Sequence, residues 1–146
     1  MTQTQQAQTQ ELGYEWRGGF DNDEVEALHA EGFGHEAAEY DWRGRLERHS
    51  VGWVCARQHT DAGRRLVGFV NVVWDGGSHA FVIDTVVAAA ERHRGVGVRL
   101  VKEAERGARA AGCEWLHVDF EPHLRRYYFD ACGFEPTDAG LINLRG

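Results

Sequence analysis

The 146 residues contain no long apolar span and no secretory h-region. Neither a membrane-crossing helix nor export is therefore expected, and the chain reads as a cytoplasmic protein. Cysteine is scarce: Cys55, Cys113 and Cys132 make an odd set of three without a Cys-x-x-Cys pair, and the eight histidines show no His-x-x-x-His spacing. Free thiols packed as small core residues are expected, with no metal centre. Positive charge is in deficit, 16 Lys and Arg against 23 Asp and Glu for a net charge of −7. That balance argues against a nucleic-acid binder and is compatible with a cationic partner. No Gly-Lys-Ser/Thr occurs for a nucleoside-triphosphate loop, and Leu100 stands where a dinucleotide fingerprint needs its last glycine or alanine.

What is present is concentrated between Phe81 and Gly112. Phe81-Val82-Ile83-Asp84-Thr85-Val86-Val87-Ala88 is apolar and β-branched almost throughout, the pattern of a strand buried on both faces in mid-sheet. A turn with Gly95 and Gly97 follows. Val98, Val101, Ala104, Ala108 and Ala111 then recur at three or four, which predicts an amphipathic helix. A glycine turn that opens a helix presents unpaired N–H groups at the positive end of the helix dipole, a setting that favours phosphate.

The rest of the chain frames this unit. Residues 1–10 are rich in Gln and Thr and read as a disordered tail, leaving 11–146 as a single domain. Leu12–Phe20 reads as a strand, Asp21 or Asn22 as the cap of a helix to about Glu31 with Val25, Leu28 and His29 inward, and Ala37–Arg48 as a second helix. Val51–Gln58 and Arg65–Trp74 form a hairpin leading into the apolar strand. After the glycine-turn helix, Trp115–Phe120 is a parallel strand reached by a right-handed crossover. A helix begins at Pro122 and stops at Gly133, and Phe134–Gly146 has room for one or two short strands.

Arg92-x-x-Gly95-x-Gly97 behind a buried strand resembles the coenzyme-A signature of the GNAT superfamily of N-acetyltransferases, and the element order resembles that fold from Leu12 to Leu144. The resemblance implies an α/β (α+β) domain: a mixed, mostly antiparallel sheet with a central splayed parallel strand pair and about four helices. It implies acetyl-CoA as co-substrate, with the backbone of Thr85, Val86 and Val87 along the pantetheine arm. The backbone of Arg92, His93, Arg94, Gly95, Val96, Gly97 and Val98 would lie on the pyrophosphate. Val98 replaces the hydroxyl residue common there, and Ala89 a common proline. The implied activity is transfer of an acetyl group to a primary amine of a small molecule or peptide by direct attack. Neither nucleic acid nor membrane is implied as a partner, and a homodimer is left open. The alternative is a catalytically silent CoA-binding or interaction domain of the same fold.

Amine acylation needs a base for the ammonium and an acid for the departing thiolate. Tyr127-Tyr128-Phe129-Asp130-Ala131-Cys132-Gly133-Phe134 resembles the family's tyrosine-to-Gly-Phe ending. A four-residue spacer selects Tyr128 as the acid, a three-residue spacer falls on Phe129, and Tyr127 is the fallback. For the base, Asp84 interrupts an apolar strand, and a buried carboxylate needs a partner or a function. Glu121 and His117 lie on or just past the second parallel strand. Acids at Asp21, Asp23, Glu24, Glu36, Glu39 and Asp41 near Phe33, Tyr40 and Trp42 form either an ammonium site or a solvated helix face.

Overall fold

Five strands pair in chain order to make one sheet: β1 (Leu12–Trp16), β2 (Ser50–Thr60), β3 (Gly63–Trp74), β4 (His79–Val87) and β5 (Trp115–His117). The computed structural model describes residues 12–146, so the expected tail, 1–10, lies outside the described residues. β1 to β4 are antiparallel neighbours, and β4 and β5 are parallel. The helices are α1 (Asn22–Phe33), α2 (Trp42–His49) and α3 (Val96–Ala110), followed by a short 3-10 turn at Pro122–Leu124 and a π-helical turn at Arg126–Ala131. The mixed, mostly antiparallel sheet and the splayed parallel pair are as expected. That pair lies at one side of the sheet, because Phe134–Gly146 forms no strand beyond β5.

The core follows from residue spacing. Val96, Leu100, Val101, Ala104 and Ala108 make a buried stripe along α3, while Phe69, Val67, Val70 and Val72 of β3 and Val54 of β2 are buried from both faces of the sheet. Because α3 starts at Val96, the stripe begins there, and Val98 packs instead into a smaller cluster with Val101, Tyr128 and Cys132. β4 is not buried on both faces along its length. Phe81 is 41% exposed although it pairs with β5, and Ile83 and Thr85 are half-buried, because a strand partner covers an edge of β4 and not its face. In the C-terminal segment Leu141, Ile142 and Leu144 are exposed and pack on nothing.

Two helix ends set up the site. α1 is capped at its start by Asp21, whose N–H donates to Glu24 Oε2 at 2.9 Å, and it ends at Gly34, which takes the left-handed conformation at φ +72°. The N–H groups of Gly34 and His35 both reach back to the Ala30 carbonyl, at 2.9 and 3.2 Å, so His35 folds over the last turn. α2 starts five residues later than the sequence predicts, at Trp42, where Asp41 accepts from the Gly44 N–H at 3.0 Å. The intervening segment is tied to α1. Buried Glu26 accepts from Ala38 N–H and from Trp42 Nε1, both at 3.0 Å, and Asn22 accepts from Arg43 N–H at 2.8 Å.

Replacing Glu26 by alanine should therefore strand the buried Trp42 N–H and release the segment before α2. We expect a loss of about 1–3 kcal/mol in urea unfolding, with faster amide exchange at Ala38. Unchanged stability would show that Glu26 does not carry this tie.

Candidate active site

A single irregularity in β4 organises the region. Val86 pairs with Phe69 and Ile83 with Asn71, so Asp84 and Thr85 together face one residue of β3 in a β-bulge. Asp84 takes φ +58°, a left-handed conformation that costs a non-glycine residue roughly 1–2 kcal/mol. Three side chains hold it there. His29 Nε2 lies 3.0 Å from Asp84 Oδ1, while Arg45 and Asn71 Nδ2 approach Oδ2 at 3.4 and 3.3 Å. Asn71 is fully buried and is itself fixed by the Ser50 hydroxyl, which donates to its Oδ1.

Beyond the bulge the parallel pairing has already ended. The last β4–β5 pair is Phe81 with His117, whereas β4 continues to Val87, so the edge carrying Thr85, Val86 and Val87 has no β5 partner. Thr85 Oγ1 is buried without a hydrogen bond. The turn that follows is exposed from Arg92 to Gly95, with Gly95 at φ +81° as the cap of α3 and His93 also left-handed. No acid lies in the first turn of α3, and Arg92 and Arg94 flank it. An unpaired strand edge, an orphaned hydroxyl and an acid-free helix start suit a pantetheine arm ending in a pyrophosphate. Gly97 also answers to a packing constraint. A Cβ there would stand 2.8 Å from the Tyr127 hydroxyl oxygen, so it makes room for that ring.

The two tyrosines diverge accordingly. The Tyr127 hydroxyl is buried against Gly97 and the Cys132 sulfur and closes no hydrogen bond of normal geometry. Burial drives its pKa far up. Tyr128 is 6% exposed, stacks on Phe120 at 4.7 Å and turns its phenol toward Thr85. Burial raises the Tyr128 phenol and the Thr85 hydroxyl offsets part of the rise, although the contact falls short of a good hydrogen bond. The π turn makes this possible: Cys132 N–H bonds to the Tyr127 carbonyl five residues back, at 2.9 Å, and absorbs the extra residue of the four-residue spacer.

The other candidates lie elsewhere. Glu121 is exposed and opens the 3-10 turn after β5, and His117 is exposed, 2.8 Å from His79 and stacked on Phe81. Neither is brought to Asp84 by any hydrogen bond or ion pair among the described residues. The acidic cluster is largely spent on structure, since Asp21 and Asp41 cap helices and Glu24 pairs with Arg57. The aromatic faces are taken too: Arg45 sits over Trp42 and Tyr40 at 5.1 and 5.9 Å. A cavity of about 390 Å³ lined by Arg43, Arg57 and Arg64 lies at the start of α1. Its arginines are engaged by the Phe20 carbonyl, Glu24 and Glu15. All three cysteines are free, and burial pushes the Cys55 thiol up to about 12, far from a nucleophile. Sequence reasoning missed His29, His35, Arg45 and Asn71. The signal was a histidine on the inner face of α1 opposite a carboxylate in an apolar strand, each needing a polar partner.

The model of the GNAT acetyltransferase family matches residues 14–134, and the chain belongs to that family, whose members use acetyl-CoA. Over 59 residues, 40% of this chain, it is 46% identical to a probable glucosamine 6-phosphate N-acetyltransferase 2 of Oryza sativa subsp. japonica. The match spans 35% of the rice protein's length. Among solved structures, a Trypanosoma brucei acetyltransferase superposes with a TM-score of 0.74 at 19% identity, over 90% of this chain and 98% of that one. Glucosamine-6-phosphate N-acetyltransferase of Arabidopsis thaliana gives 0.68 at 13% identity, over 90% and 97%. No helix among the described residues is long and apolar enough to cross a membrane.

Tyr127→Phe should remove only an unpaired hydroxyl, so stability should stay level or rise by about 1 kcal/mol, with acetyl-CoA binding intact. A loss of binding in calorimetry would mean that the hydroxyl reaches the ligand.

Proposed function

We propose that this chain is an N-acetyltransferase that moves an acetyl group from acetyl-CoA to the primary amine of a small molecule or peptide by direct attack. One observation carries the reading. The β4 bulge sets a carboxylate, Asp84, and the neighbour of a buried phenol, Thr85 beside Tyr128, on consecutive residues where the strand edge has lost its partner.

Acetyl-CoA supplies the activated acetyl group as a thioester. The backbone of Thr85, Val86 and Val87 binds its pantetheine arm, and the amides from Arg92 to Val98 bind its pyrophosphate. Asp84 takes the proton of the acceptor ammonium, freeing the lone pair for attack. Tyr128 donates a proton to the departing sulfur and is reprotonated by the second proton that the nitrogen loses as the amide forms. Burial raises its pKa, so it stays protonated through neutral pH, as an acid must. Glu121 has no part in this assignment. High thiol pKa values at Cys55, Cys113 and Cys132 support direct attack over a covalent route. The rice relative supports an amino sugar phosphate as the first acceptor to try. Uncovered Leu141, Ile142 and Leu144 support self-association through the C-terminal segment. The absence of a long apolar helix among the described residues is compatible with a cytoplasmic site of action.

Gly95→Asp tests the cofactor site. Nothing lies within 4 Å of a Cβ there, and aspartate tolerates positive φ better than most residues, so the variant should fold. Its carboxylate should weaken acetyl-CoA in calorimetry by about tenfold or more, roughly 1.4 kcal/mol. Equal affinity would move the pyrophosphate away from this turn.

Tyr128→Phe tests the acid. Thiol release with a panel of amines led by glucosamine 6-phosphate should slow by about 100-fold or more in kcat. Because the phenol is shifted upward, wild-type kcat should show no fall attributable to Tyr128 below about pH 10. Full activity in the variant would remove Tyr128 from the mechanism.

A further inference from the structure

Asp84 is one end of a chain of hydrogen bonds that reaches the surface. Its Oδ1 lies 3.0 Å from His29 Nε2, His29 Nδ1 lies 2.7 Å from His35 Nε2, and His35 Nδ1 lies 2.8 Å from the Glu36 carbonyl oxygen. A carbonyl only accepts, so His35 Nδ1 carries a proton. In a neutral ring that leaves His35 Nε2 as an acceptor, and His29 Nδ1 must donate to it. A neutral His29 then has no proton left for Asp84. Two neutral imidazoles and a carboxylate thus supply two protons for three contacts, and the chain closes only when it holds one more.

We propose that Asp84, His29 and His35 form a proton relay that carries the acceptor's proton from the β4 bulge to solvent. The proposal rests on the acetyltransferase reading above. In it, the N–H bond of the ammonium breaks as a proton passes to Asp84. Asp84 gives a proton to His29 Nε2, the Nδ1 proton of His29 passes to His35 Nε2, and the Nδ1 proton of His35 leaves to water. Both rings then exchange their Nε2 protons for Nδ1 protons with water, which restores the starting tautomers. One proton enters, one departs, and no electrons change hands. His29 and His35 act through Asp84 and are positioning residues, not catalytic ones.

The surroundings suit a conduit. Asp84 and His29 keep only 16% and 17% of their side-chain surfaces exposed, whereas His35 is exposed. Phe33 stacks on His29 at 4.3 Å and Trp42 lies at 5.0 Å, which fixes the orientation of the His29 ring. The charged and polar groups facing Asp84 are His29 from α1, Arg45 from α2 and Asn71 from β3, and Glu26 of α1 bears on both histidines.

The test begins with nitrogen NMR of the full chain labelled with 15N in histidine, which needs no substrate. A coupling through the hydrogen bond between His29 Nδ1 and His35 Nε2 is expected. The coupling should report His29 Nδ1 as the donor to His35, and Asp84→Asn should shift the His29 Nε2 signal. No coupling, or a His29 ring indifferent to Asp84→Asn, would overturn the relay. Kinetics supply the second arm, with glucosamine 6-phosphate or whichever panel amine releases thiol. His29→Gln keeps a donor for Asp84 but cannot pass a proton on, so kcat should fall about 10- to 100-fold with acetyl-CoA affinity and melting unchanged. His35→Gln should fall likewise and recover with imidazole in the buffer. Wild-type kcat in His29→Gln would reduce the contact to a structural tie and overturn the proposal. If folded wild-type protein shows the coupling yet binds no acetyl-CoA, the acetyltransferase reading fails, and the relay's role in transfer falls with it while the proton count stands.

Discussion

The positive φ of Asp84 is the constraint on which the site depends. A left-handed non-glycine residue inside a strand is held only when its surroundings specify it, and here α1, α2 and β3 each send a side chain to one carboxylate. Those contacts do more than offset the backbone cost. They fix the bulge and tie side chains of α1, α2 and β3 to β4. Pairing with β5 has ended at Phe81, before the bulge, so the outer edge beside it has no strand partner. Sheet geometry and the chemistry proposed for Asp84 would therefore share one residue.

The position of His29 has an equally local origin. A helix ending in a left-handed glycine turns its next residue back over the final turn, and Gly34 does this to His35. His29 lies one residue before Ala30, whose carbonyl takes both capping N–H groups, so the ring of His35 arrives beside it. Glu26 and Asn22 then hold the following segment down on α1, and Trp42 comes to shield the pair. An ordinary helix stop thus aligns two imidazoles with a carboxylate from a different element.

Much of the fold was legible in the sequence because its signals are periodic. The α3 stripe, the β2–β3 hairpin and the parallel β4–β5 pair follow from residue spacing and turn composition. What was not legible depends on contacts between distant segments. The apolar run Phe81–Ala88 reads as fully buried, yet Phe81 stays 41% exposed even where β5 pairs with it, because a strand partner covers an edge and not a face. The late start of α2 is decided by Glu26, whose buried carboxylate pairs with a backbone amide and an indole that no local pattern announces. Gly97 reads as a phosphate glycine, and the room its missing Cβ leaves for Tyr127 is a second constraint that no local pattern announces. Asp84 was visible because a lone carboxylate in an apolar strand contradicts its neighbours. Its partners were not, since each is unremarkable within its own helix or strand.

The acid and the base proposed for this chain share a structural device. Asp84 reaches its position because β4 carries an extra residue opposite Val70, and Tyr128 reaches its own because the helix after Leu124 carries an extra residue as a π turn. In a regular strand a residue more or less would swap the two faces, and in a regular helix it would rotate the following side chains by about a quarter of a turn. The ambiguity between Tyr127, Tyr128 and Phe129 arises because sequence counting assumes an unbroken helix. The π turn satisfies the longer spacer, sending Tyr127 beneath the glycine turn and Tyr128 toward Thr85. Both irregularities meet at the unpaired edge of β4, where a strictly regular sheet and helix would have left an apolar wall. Bulges and π turns are frequent at functional sites, and here the residues they redirect, Thr85 and Tyr128, lie beside each other.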